Sequence, residues 1–140
     1  MSNPDASLRA EVETLLADWA HAIDTGQAEV ATVLFTETAE QHLPQASAIG
    51  RAQIAEGLAR RQRMTGRTTR HLFSNLRVEQ DVDTGLLQAQ AVLTLFRSDG
   101  ADRRPCIAMV ADLQDRYVRG ADGRLRIAYR QLLPVFQAAA

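Results

Sequence analysis

Cysteine is almost absent from this chain. Cys106 is alone, so no internal disulfide can form and no companion thiol completes a zinc site; set in an apolar run, it reads as a core thiol. Histidine is scarce too, and His21, His42 and His71 lack the i, i+4 spacing of a helical metal pair. A metal enzyme is therefore not expected. Nowhere do about 18 apolar residues follow one another, and the opening MSNPDASLRAEVE has no basic start leading into an apolar run. Neither a secretion signal nor a membrane span is read, and a cytoplasmic location is the expectation. An excess of one charge is also missing: 16 basic and 17 acidic side chains leave a net charge of −1, which removes the electrostatic case for nucleic acid or an anionic membrane as partner. The pairs Arg60-Arg61 and Arg103-Arg104 are too short to change that and read as solvated surface.

What is present describes a globular domain. The chain has 140 residues, 46% of them hydrophobic and 24% charged, enough for one core without disulfide or metal staples. Leu8, Val12, Leu15, Leu16, Trp19 and Ile23 recur at spacings of three and four, which predicts an amphipathic helix of about five turns. Asn3-Pro4-Asp5 supplies its capping signals and Thr25-Gly26 its end. A second short helix is expected over 29–35, a short strand over 39–43, and a third helix over 51–63 with Ile54 and Leu58 inward. From residue 70 onward the text turns strand-like, with segments 70–80, 86–97, 106–118 and 124–136 separated by turn signals at Asp83-Thr84-Gly85, Ser98-Asp99-Gly100 and Gly120-Ala121-Asp122-Gly123. Short connections imply antiparallel neighbours. Helices first and a meander afterwards is an α+β order, one domain with helices packed on one face of a curved sheet.

Two residues break the pattern. Asp24 lies four residues after Ala20 and eight after Leu16, so it extends the buried stripe of the first helix, where a carboxylate is costly without a partner. Capping of the amides at Gly26 and Gln27, or pairing with His21, would satisfy it locally. His71 stands in TRHLFSNLRVE, where alternation sets Leu72, Leu76 and Val78 on one face and His71, Phe73 and Asn75 on the other. A lone strand histidine is most often a satisfied structural residue; if it met Asp24, the carboxylate would hold one ring nitrogen and leave the other as a base near neutral pH.

The A-I-D-T-G end of the first helix, the Gly50-Arg51-x-x-Ile54 helix start, T-R-H-x-x-x-N and the terminal D-G-R-L-R-I-A-Y-R together resemble the SnoaL-like branch of the nuclear transport factor 2 (NTF2-like) superfamily, over nearly the whole chain. The resemblance implies a cone-shaped fold, three N-terminal helices on a strongly curved, mostly antiparallel sheet that encloses a pocket. Its site motifs are most similar to the scytalone dehydratase and hexachlorocyclohexane dehydrochlorinase group, which implies Asp24 and His71 as a proton-abstracting dyad and Arg130 as a pocket cation. The chain departs from that group where Trp19 replaces a lysine, and where Gln88, Gln90 and Thr94 offer no second pocket histidine. The expected activity is a cofactor-independent lyase, dehydratase-like or dehydrohalogenase-like, on a small, mainly apolar or cyclic molecule. Trp19, Phe35, Leu43, Phe73, Asn75, Met109 and Val110 are expected to line the pocket, and Tyr117 and Tyr129 are further candidate donors. The same fold also serves isomerases, cyclases, epoxide hydrolases, simple ligand-binding modules and the small subunit of aromatic-ring dioxygenases. A homodimer through the outer sheet face is expected, drawing on Leu76, Val78, Val92, Leu95, Ile107 and Leu113.

Overall fold

The computed structural model describes residues 5–101, 104 and 106–138. Helix α1 spans Ala6–Asp24 and is capped by Asp5, whose side chain accepts from the Leu8 amide at 2.8 Å; the Asn3-Pro4 part of the expected start lies outside the described residues. A 3-10 helix, Ala28–Leu34, takes the place of the expected second helix. Strand β1, Phe35–His42, is longer than expected from sequence, and β2, Ser47–Ile49, was not legible at all. Helix α2 occupies Arg51–Arg63. Four long strands follow: β3 Arg67–Gln80, β4 Leu87–Asp99, β5 Ile107–Arg119 and β6 Leu125–Gln137.

All six strands form one sheet in the order β2-β1-β6-β5-β4-β3. The last four pair antiparallel as their short turns require, and Gly85, Gly100 and Gly123 supply the positive φ that those turns need. β1 then joins β6 in parallel, Phe35 beside Ile127 and Gln41 beside Arg130. The helices lie against one face, giving the NTF2-like cone. Val12, Leu15, Leu16, Trp19 and Ile23 of α1 are buried with Phe35, Ile54, Leu93, Leu113 and Ile127. Each such side chain contributes roughly 1.5–3 kcal/mol by leaving water.

One irregularity decides which side chains face inward. Between Ser74 and Arg77 the β3–β4 register shifts, and Asn75 has φ 55°, the left-handed conformation that asparagine tolerates better than most residues. The extra residue reverses the alternation. Before it, Thr69, His71 and Phe73 face inward beside Arg97, Leu95 and Leu93; after it, Leu76 and Val78 do. Asn75 itself is exposed at the bulge, not set on the inward face beside His71 and Phe73 as strict alternation had it. Of the residues expected on the outer face, Leu76, Val78, Leu95 and Leu113 therefore turn inward. The outer face carries instead the cross-strand row Leu72, Thr94, Val110 and Phe136, and next to it Ser74, Val92, Asp112 and Leu133. Val110 thus belongs to the outside of the sheet and not to the pocket wall. Cys106 precedes β5 and is exposed, so it is not a core thiol.

Candidate active site

The end of α1 and the start of β3 bring the two pattern-breaking residues together. His71 Nδ1 lies 2.6 Å from Asp24 Oδ1, and the His71 backbone amide donates to Asp24 Oδ2 at 2.9 Å. One carboxylate thus clamps both the ring and the main chain of the same residue across 47 positions of sequence. The hydroxyl of Thr69 adds a third hydrogen bond, to Oδ1 at 2.8 Å. Neither local alternative for Asp24, capping of Gly26 and Gln27 or pairing with His21, is formed; those amides bond to main-chain carbonyls. Burial pushes the Asp24 carboxyl up, but the hydrogen bonds from the His71 ring, the His71 amide and Thr69, with the charge of the imidazole, hold it below the ordinary value. An ionised Asp24 fixes the proton on Nδ1, leaving Nε2 as the ring nitrogen with a free lone pair. The two side chains are only 10% and 9% exposed, so the pair is shielded without being sealed from water.

Trp19 packs edge-on to the imidazole, with ring centroids 5.0 Å apart, and Phe73 lies 5.9 Å from the indole. Phe35 is fully buried, while Leu43 and Met109 are partly buried against the core. Two surface clefts, lined among others by Gln88, Gln90, Gln114, Arg116 and Tyr129, open on the sheet away from the dyad. Tyr129 there stacks under Arg116, outside the candidate site.

Arg130 also points inward, yet it is already engaged. Its Nε and Nη2 hold both oxygens of Asp115 at 2.8 and 2.7 Å, and Tyr117 donates its hydroxyl to the same carboxylate at 2.7 Å. Arg130 and Asp115 have no side-chain exposure. Burial opposes the charge of Arg130, but Asp115 more than compensates and raises its pKa; burial and then the Asp115 charge push the Tyr117 phenol well above its ordinary value. The guanidinium carbon sits 4.8 Å over the Trp19 ring, linking this triad to the dyad through one indole. Arg130 Nη1 and Trp19 Nε1 are buried with no hydrogen-bond partner among the described residues.

Sequence reasoning missed Thr69, Arg61 and Asp115. Thr69 was findable as the residue two before His71 on the same face, and Asp115 as a carboxylate in the apolar alternation Ala111, Leu113, Asp115, Tyr117; Arg61 carried no such signal.

The fold and the part-buried Asp–His pair define an NTF2-like cone protein with a candidate acid–base centre. A model of the SnoaL-like domain matches residues 4–131, and the chain belongs to that family. No curated protein matches it by sequence. Among solved structures, a protein of Catenulispora acidiphila in complex with S-DNPA is 30% identical, with 91% of this chain and 95% of that one covered and a TM-score of 0.77. ActVI-ORFA of Streptomyces coelicolor is 23% identical, covering 93% and 98% of the two chains at a TM-score of 0.79. A provisional scytalone dehydratase of Novosphingobium aromaticivorans is 21% identical, covering 96% and 88% at a TM-score of 0.81. The last two likenesses are of fold.

Proposed function

We propose that the chain is a lyase that needs no cofactor and uses Asp24 and His71 to take a proton from carbon. The observation that carries this reading is the 2.6 Å contact between Asp24 Oδ1 and His71 Nδ1, which commits one ring nitrogen and leaves Nε2 as the base. In the reaction, Nε2 accepts the proton of a substrate C–H bond. The electron pair of that bond forms a carbon–carbon double bond as the bond to a leaving group breaks. Asp24 stays ionised and stabilises the imidazolium, which then gives its proton to departing hydroxide or to water. The aromatic and aliphatic surroundings of the ring, Trp19, Phe73, Leu93 and Leu95, favour a small, mainly apolar or cyclic substrate. Arg130 is reassigned within this reading: its charge is matched by Asp115, so it supports the Trp19 wall instead of binding a free leaving anion.

The test is a substrate screen with His71→Ala and Asp24→Asn beside the parent. Turnover should fall by about 10²–10⁴-fold in His71→Ala, the usual worth of a general base, and strongly in Asp24→Asn. Activity should rise with pH through an ionisation of the coupled pair. A folded His71→Ala variant with full turnover would refute the mechanism. A second reading, a ligand-binding module without turnover, draws on the complex of the Catenulispora relative with S-DNPA; saturable binding with no product in any screen would favour it. The assembly that suits either reading is a homodimer through the outer sheet face, covering Leu72, Leu133 and Phe136, which are 49%, 46% and 69% exposed.

A further inference from the structure

We infer that Thr69 and Arg61 are positioning residues of the dyad, acting on His71 through Asp24. The inference deepens the proposed function by naming what keeps the carboxylate in place. Asp24 is the last residue of α1, where the helix dipole presents its negative end and disfavours an anion. Something on the other side has to offset that.

The chain of contacts has only one proton arrangement. Arg61 Nη2, from the last turn of α2, lies 3.1 Å from Thr69 Oγ1. A guanidinium donates and never accepts, so Thr69 accepts from Arg61 and its own hydroxyl proton must go to Asp24 Oδ1, at 2.8 Å. Oδ1 then accepts two hydrogen bonds, from Thr69 and from His71 Nδ1, while Oδ2 takes the His71 amide. With Oδ1 so filled, the carboxylate cannot turn away from the imidazole without leaving the Thr69 hydroxyl, on a residue 4% exposed, unsatisfied. A valine at that strand position would pack as well; the hydroxyl is there for Asp24.

The electrostatic surroundings agree. Arg67 and Arg97 on β3 and β4 share Asp99 at 2.9 and 2.6 Å, so one acid offsets two cations beside Arg61. Arg70 donates to the main-chain carbonyl of Asp24 at 3.1 Å, satisfying the helix end directly. Arg130 reaches the imidazole only across Trp19. The Asp24 side of the dyad, which holds the fixed Nδ1 proton, therefore faces cations on α2, β3 and β4, with Asp24 and Asp99 as the acids among them.

The experiment reads the His71 Nδ1 proton by nitrogen-edited NMR on the full-length chain with labelled histidine, and needs no substrate. In the parent that proton should be hydrogen-bonded and slow to exchange with water. Thr69→Val should speed its exchange by about tenfold or more, the equivalent of losing one charge-assisted hydrogen bond, while Thr69→Ser, which keeps the hydroxyl, should restore the slow rate. Arg61→Met changes only a partly buried helix position and should give an intermediate rate, deciding the matter even where Thr69→Val lowers stability. Parent-like exchange in Thr69→Val, or equal loss in valine and serine variants, would overturn the assignment of Thr69; a parent-like Arg61→Met would remove Arg61 from it. Because none of these rates depends on turnover, a failed substrate screen leaves the inference standing, and a fast-exchanging Thr69→Ser would sink it without touching the lyase reading.

Discussion

Replacing Arg130 by methionine isolates the cost of a buried charge in this fold. Arg130 and Asp115 have no exposed side-chain surface and share two hydrogen bonds. Arg130→Met fills much of the same volume but leaves the Asp115 carboxylate with the Tyr117 hydroxyl as its remaining side-chain donor among the described residues. Stranding one member of such a pair costs about 3–5 kcal/mol, a large share of a total stability on the order of 5–15 kcal/mol. Removing the acid too, in Arg130→Met with Asp115→Leu, should recover most of the loss. The orphaned Tyr117 hydroxyl would then account for about 1–3 kcal/mol of what remains, and adding Tyr117→Phe should bring stability back to within about 1–2 kcal/mol of the parent or above it. Urea unfolding followed by far-ultraviolet circular dichroism, at constant slope, measures all four chains. If Arg130→Met costs under about 1 kcal/mol, water reaches Asp115 and the pair is not buried in the sense argued. If the triple variant is as unstable as the single one, the loss comes from packing against Trp19 and not from charge.

Three further outcomes follow from the same geometry. At the β3 bulge, Asn75→Val should destabilise by about 1–2 kcal/mol because a β-branched residue resists positive φ, while Asn75→Gly should stay within about 0.5 kcal/mol; urea midpoints distinguish them. Asp24 is depressed, so the stability it contributes is complete above about pH 3.9, its unfolded value, and is lost as pH falls through the lower folded value. Asp99, drawn down to about 2 by Arg97 and Arg67, acts in the same sense. Thermal melts across this range should steepen in acid and do so less in Asp24→Asn; identical slopes would contradict the linkage. For assembly, light scattering should give a dimer for the parent and a monomer for Phe136→Asp, and a parent that is monomeric across micromolar concentrations removes the sheet-face dimer.

Much of this architecture can be read from the chain because its signals are local. The stripe from Leu8 to Ile23 and the three Gly-containing turns set the long helix and the β3–β6 meander to within a few residues. Asp24 and His71 announced themselves by breaking those same patterns. The Asn75 bulge was not legible: strict alternation carried straight through it, which misplaced Asn75, Leu76 and Val78 together. Val110 failed for the same reason, since alternation along β5 needs a fixed phase that only pairing with β4 and β6 supplies. The parallel closure of β1 on β6 joins residues such as Phe35 and Ile127, 92 positions apart, and no local pattern encodes a partner at that distance.

Trp19 is the only tryptophan of the chain, and it touches His71, Phe73 and Arg130 at once. Its emission is therefore a private optical channel from the candidate site, free of background from any other indole. A molecule that enters beside the imidazole changes the polarity seen by the indole, and an imidazolium quenches a neighbouring indole more strongly than a neutral ring. Ligand discovery can thus start from plain fluorescence titrations of the unlabelled protein, before any reaction has been assigned to it.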